Sequence, residues 1–169
     1  MKYLIVNASP VILLGKIGRL DMLKMFDRKA MVPLRVVREV NRKNTPEALA
    51  LKTATSNWLE VFDDVANASI ISSIIGEDVS RGEVDVIAKA QQLIHDGHDV
   101  VVVLDDLPAR QGAEALSIPV TGTLGVVIHG VRSGFLTSAQ GIEIVNSLLS
   151  IGARLDPLLV RKVIELISL

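Results

Sequence analysis

The sequence has no cysteine among its 169 residues. Disulfide staples, thiolate metal sites and thiol nucleophiles are therefore excluded, and the composition is consistent with a reducing cytosol. Aromatics make up only 3%, with Trp58 and Tyr3 the sole residues of their kinds. That is too few for the row of stacked rings on which single-stranded nucleic acid is commonly held. No run approaches the ~20 apolar residues of a membrane helix. The apolar start is broken by Asn7, Ser9 and Pro10, and Lys16 ends the run that follows. This pattern argues against a signal peptide and leads us to expect a soluble, cytoplasmic protein with no membrane partner. There is no Walker loop and no GxGxxG, the glycine patterns that cradle nucleotide phosphates. His95, His98 and His129 lack the spacing of a helical zinc motif, and Ser9 lacks the glycine elbow of a hydrolase nucleophile.

What is present is aliphatic. The hydrophobic share is 49%, carried by Val, Ile, Leu and Ala, which suits a parallel sheet covered by helices on both faces. The length suggests one domain, residues 1–169, able to bury a core without staples. Net charge is −1, yet residues 1–43 hold ten Lys/Arg against three Asp/Glu and the remainder eight against sixteen. A basic segment can track phosphates and an acidic cluster can hold a divalent cation. Two solvated faces of opposite sign explain the same asymmetry.

Hydrophobic periodicity orders the elements. Tyr3 to Val6 reads as a strand, followed by a helix with Ser9 as N-cap and Pro10 at its first position. Arg19 to Phe26 is a short helix, Ala30 to Val32 a short strand, and Leu34 to Asn41 a helix. Thr45-Pro46-Glu47 opens a helix to about Thr55, and Trp58 to Phe62 is a strand. Ala68 to Ile75 carries Ile70, Ile71, Ile74 and Ile75 on one face, and Gly76 closes it. Ser80 to His95 is amphipathic and Gly97 ends it, glycine being the residue that takes the left-handed conformation cheaply. Val100 to Leu104 is the strongest strand, Leu107 to Leu116 a helix, and Ile118 to Thr121 a short strand. Helices Leu124 to Arg132, Ser138 to Ser150 and Pro157 to Ile167 complete the chain. The last is apolar nearly all round, which fits deep burial or a subunit interface. Strands separated by helices imply a parallel sheet with crossover connections.

In such sheets ligands bind beyond the carboxyl ends of the strands. The first strand delivers Asn7 and Ser9 there, and VVVVL delivers Asp105 and Asp106. Asp106 suits the N-cap of the helix holding Pro108, which leaves Asp105 as the functional candidate. Glu83 closes a capping box with Ser80 or points toward the sheet end, and both remain open. Asp85 is expected in solvent. Glu39 taken alone reads as an i,i+4 partner of Arg35, worth only ~0.3–0.5 kcal/mol.

Together, VNASPVI, VVREV, GEVDVIAKA, VVVLDDLPAR and IPVTGTLGVV resemble the PIN-domain superfamily, in particular its PIN-like bacterial and archaeal branch. Similarity runs roughly from Lys2 to Arg132, with Thr45 to Asp78 longer and more variable. The resemblance implies a three-layer α/β/α fold with a central parallel sheet and a mostly helical C-terminal third. The core is about 2–132, with a helical extension about 138–169. It also implies a ribonuclease using Mg²⁺ or Mn²⁺, often the toxin restrained by a small antitoxin. By position, the four acidic sites fall on Asn7, Glu39, Glu83 and Asp105, with Asp106 as a helper. These are the implied metal ligands, and Glu39, Glu83 and Asp105 the catalytic ones. Ser9 and Arg110 are implied to contact substrate RNA.

Hard cations take oxygen ligands and keep several waters, and a metal acidifies water for in-line attack at phosphorus. Asn7 departs from the pattern: its carbonyl oxygen can coordinate, but it brings no charge and cannot act as a base. Three formal negatives remain, so weak or conditional nuclease activity is expected. The alternative is a PIN-like module that has lost catalysis and binds nucleic acid or protein. A receiver-like phosphoacceptor at Asp105 fits poorly, because that fold needs an acidic pair where Asn7-Ala8-Ser9 stands. The apolar last helix leads us to expect a homo-oligomer, with a dimer as the simplest form.

Overall fold

Successive side chains of a strand point to opposite faces, and the strands use this alternation to feed two cores. The computed structural model describes residues 1–78 and 81–169. Strands β1 (Lys2–Val6), β2 (Lys29–Pro33), β3 (Glu60–Phe62), β4 (Asp99–Val103) and β5 (Val120–Thr121) form one sheet in the order β3-β2-β1-β4-β5. Every pairing is parallel, and Leu4 lies opposite both Ala30 and Val101. Leu4, Val6, Ala30, Val32 and Val103 enter one core, whereas Tyr3, Ile5, Met31, Val100 and Val102 enter the other.

The first core is covered by α1 (Ala8–Lys16), α2 (Leu34–Val40), α3 (Pro46–Asn57) and α7 (Thr123–Arg132). Helices α8 (Ser138–Ser150) and α9 (Pro157–Ile167) lie on the same side, against α7. The second core is covered by α4 (Ala68–Ile75), α5 (Gly82–His95) and α6 (Leu107–Ala115). The result is the expected three-layer α/β/α architecture. Among the described residues, no helix is long and apolar enough to cross a membrane.

Several local expectations change. The first helix begins at Ala8 with Asn7 at its N-cap position, not Ser9, whose hydroxyl is engaged elsewhere. Leu20–Phe26 is a 3₁₀ helix: its three-residue turn stacks Leu20 over Leu23, and both are buried. On α4 only Ile71 and Ile75 are buried, while Ile70 and Ile74 face solvent. Helix α9 is amphipathic, burying Val160, Val163 and Ile167 and exposing Leu158, Leu159 and Leu166. The expected capping box at Ser80 lies outside the described residues. Gly97, with φ +88°, follows the α5 C-cap residue Asp96 and reverses the chain into β4.

Candidate functional site

Strand β1 lies at the centre of the sheet, between β2 and β4, so its carboxyl end opens where the strand order reverses. The backbone N–H of Asn7 still donates to Val103 O at 3.2 Å, which holds the residue at the sheet edge as α1 begins. Its side chain is buried, and Oδ1 has no hydrogen-bond partner among the described residues. Gly82, the first residue of α5, allows this approach: a Cβ there would lie 2.8 Å from Asn7 Oδ1 and 3.0 Å from Val36 Cγ2.

A cavity of about 460 Å³ opens at this point. It joins Asn7 from the end of β1, Ser9 from the first turn of α1, Glu39 from α2 and Glu83 from the first turn of α5. Arg35, Arg42 and Arg81 share its wall. Helices α2 and α5 are tied together beneath it by Arg35 Nε, which donates to Asp85 Oδ2 at 2.9 Å. Asp85 is therefore buried and paired, not in solvent as expected, and Arg35 does not pair with Glu39. A half-exposed guanidinium reaching a buried carboxylate fixes the relative position of the helices that carry Glu39 and Glu83. Arg42 and Arg81 enter no ion pair among the described residues.

Asp105 sits one strand away, held by three donors. Its Oδ1 accepts from the backbone N–H of Thr123 at 2.7 Å; its Oδ2 accepts from Thr123 Oγ1 at 2.6 Å and from Ser9 Oγ at 3.0 Å. Thr123 is fully buried. The backbone comes this close because Gly122 has no side chain: a Cβ would lie 2.9 Å from Asp105 Oδ1 and 2.6 Å from Arg110 Nη1. Arg110 Nη1 donates to Leu104 O at 3.2 Å. Asp105, Ser9 and Arg110 line a second, more apolar cavity of about 750 Å³, and Ser9 borders both. Asp106 caps α6, accepting from Ala109 N at 3.0 Å, and lines neither cavity.

The predicted residues thus divide. Asn7, Ser9, Glu39 and Glu83 share one cavity, Asp105 and Arg110 adjoin it through Ser9, and Asp106 is a helix cap. Among the described residues, no three His, Asp or Glu side chains are grouped so that they could hold a metal ion by themselves. Mg²⁺ does not need such a cage, since one or two carboxylates with waters and substrate phosphates suffice. A buried acceptor without a partner costs about 1–3 kcal/mol, and Asn7 Oδ1 is such an acceptor beside two carboxylates. The donor set fits a hydrated hard cation held by Asn7, Glu39 and Glu83, and does not fit a centre caged by four carboxylates.

Sequence reasoning missed Thr123 and the three arginines. Thr123 lies in the stretch IPVTGTLGVV that carries the family resemblance, and Arg35 and Arg42 belong to the basic first segment. Among comparisons with known proteins, the family model DUF3368, described as a PIN domain, matches residues 3–168. No curated protein matches the chain.

Proposed function

We propose, from the premise that this chain belongs to the PIN-domain family, that it is a Mg²⁺- or Mn²⁺-dependent ribonuclease acting at the carboxyl end of β1. A nuclease-type fold comes with the family; RNA as substrate and hydrolysis as reaction are the proposal. One observation carries it. A single cavity brings Asn7, Glu39 and Glu83, a donor set for a hard cation, against Arg35, Arg42 and Arg81, a donor set for phosphate.

A Mg²⁺ or Mn²⁺ ion would supply Lewis-acid activation of water and offset charge at the phosphorus. Glu39 and Glu83 would hold the ion through their carboxylates, and Asn7 Oδ1, without a hydrogen-bond partner among the described residues, would complete the set. Arg42 and Arg81 are free to receive phosphate oxygens through their fork of N–H donors. Arg35 holds α2 against α5, so the two glutamates keep their spacing. Ser9 bridges this set to Asp105, which Thr123 orients. Because Asn7 contributes no charge, metal binding would be weaker than in an all-carboxylate site, and activity conditional on the metal.

Cleavage of an unstructured RNA in Mn²⁺ tests this reading. The wild-type chain is expected to cut, and Glu39→Gln and Glu83→Gln to lose most of the rate. Equal rates in all three proteins would sink it. A role as the toxin of a toxin–antitoxin pair in the cytoplasm, with a small antitoxin as partner, rests on the family resemblance. It predicts growth arrest on expression that Glu83→Gln relieves.

A second reading has its own observation. Asp105 spends its carboxylate on three donors, as in a site kept for shape rather than for metal. A binding module without catalysis would hold RNA equally well with and without Mn²⁺, and its melting temperature would not respond to the metal.

A further inference from the structure

The loop after α2 carries another cavity, of about 600 Å³, lined by Asn41, Arg42, Lys43, Asn44 and Lys52, with Ala48 and Leu49. Three cations line it and no carboxylate does. Among the described residues, Arg42, Lys43 and Lys52 form no ion pair. The acid on α3, Glu47, has its Cβ against α1, 2.8 Å from where a Cβ on Gly15 would stand, and does not line this cavity. Three clustered cations repel one another unless an anion lies among them. Arg42 also lines the cavity that holds Asn7, Glu39 and Glu83, so the two cavities share a wall.

We infer that this loop is a track for the flanking phosphates of a single RNA strand, leading from the β1 site over the α2–α3 connection. Arg42 contacts the phosphate nearest the site, and Lys43 and Lys52 contact those beyond it. The inference rests on the proposed nuclease reading for the direction of the strand, though not for the binding itself. A continuous strand explains why the cationic surface adjoins the site. An acidic peptide does not explain this, because only one large apolar side chain, Leu49, is available to anchor it. The chain's few aromatics leave base stacking a small share, so binding through the track is tolerant of sequence and strongly salt-dependent.

The test uses the full chain without metal, so that binding is read apart from cleavage. A labelled RNA dodecamer of mixed sequence and a trinucleotide are titrated at several salt concentrations. Both lysines are exposed, so Lys43→Ala/Lys52→Ala should keep its melting midpoint. The double variant is expected to bind the dodecamer more weakly, and its slope of log K against log salt should be shallower by about 1.4, at ~0.7 per phosphate contact. Trinucleotide binding should be unchanged. An unaltered slope and dodecamer affinity overturn the track, as does a wild-type chain that binds no RNA. Loss of binding to an Asp/Glu-rich peptide without loss of RNA binding overturns it in favour of a protein partner. A chain that binds through the lysines but never cleaves leaves the track standing and rejects the nuclease reading alone. Cleavage with an unaltered slope does the reverse.

Discussion

At the scale of single residues, Asn7 and Asp105 have exchanged the roles their side chains suggest. Asn7 is neutral, yet its buried Oδ1 has no hydrogen-bond partner among the described residues. Asp105 is charged, yet its oxygens are satisfied by Thr123 and Ser9. Asn7→Asp should therefore place a second kind of acceptor, now charged, into the same contacts. Without metal, the buried and unpaired carboxylate should lower stability by roughly 1–3 kcal/mol. With millimolar Mn²⁺ the loss should reverse, and the dissociation constant for Mn²⁺ should fall about tenfold, a difference of ~1.4 kcal/mol. Thermal melts across a Mn²⁺ titration read both effects; an unchanged affinity would make Asn7 a turn residue and nothing more. Asp105→Asn should behave differently. Its Oδ1 can still accept from Thr123 N–H and its NH₂ can donate to the two hydroxyls, but the charge-assisted bonds are lost, so the variant should lose about 1 kcal/mol of stability whether or not metal is present. Urea denaturation with and without Mn²⁺ checks this, and a loss seen only with metal would make Asp105 a ligand.

At the scale of elements, two long-range ion pairs fix how α5 sits under the sheet. Arg35 of α2 reaches Asp85 at its start, and Lys89, one turn further on, reaches Asp64 in the β3–α4 connection at 2.8 Å. The Lys89 ammonium also lies 5.5 Å from the centre of the Phe62 ring. The hydrogen bond from Lys89 holds the Asp64 carboxyl below its ordinary pKa of 3.8. A depressed carboxyl contributes stability that is present above its unfolded pKa and is lost as pH falls through the folded one. Wild type should therefore exceed Asp64→Asn in stability by a constant margin above about pH 4, with the margin closing below. Chemical denaturation from pH 2 to 7 measures it, and a margin that persists at the acid end would exclude Asp64 as its source. Neither pair could be read from sequence. Arg35 has a carboxylate four residues away in Glu39, whereas Asp85 is 50 residues distant and Asp64 lies 25 from Lys89. Only the packing of α5 against the sheet brings those partners closer than the local one.

At the scale of the whole molecule, the parallel sheet was legible because its strands are apolar runs broken by polar ends. LIVN and VVVLDD state both where a strand stops and what it delivers to the sheet edge. Periodicity also located most helices to within a residue or two, and it placed α8 and α9 with the bounds they have in the structure. It could not say which part of a helix faces outward when nearly every position is apolar. Helix α9 shows why: Leu158, Leu159 and Leu166 look like core yet are 58%, 49% and 41% exposed. Ile151 and Leu149 at the end of α8 are also partly exposed, and α8 packs against α9. Burying a Leu side chain gains ~1.5–3 kcal/mol, so several together are enough to drive association once the loss of free rotation and translation is offset. Among the described residues, the ion pair on this helix is Arg161 with Glu165 at 3.4 Å; it lies within α9 and is exposed, so it opposes such contact only weakly. Sedimentation of the intact chain at micromolar concentration should accordingly show a species heavier than the monomer. Leu158→Lys/Leu166→Lys should return it to monomer while the melting midpoint measured at low concentration is preserved, because the buried face of α9 is made of Val160, Val163 and Ile167. A wild-type chain that sediments as monomer at that concentration would leave the exposed leucines as isolated surface residues, which globular proteins tolerate singly but seldom in a contiguous group.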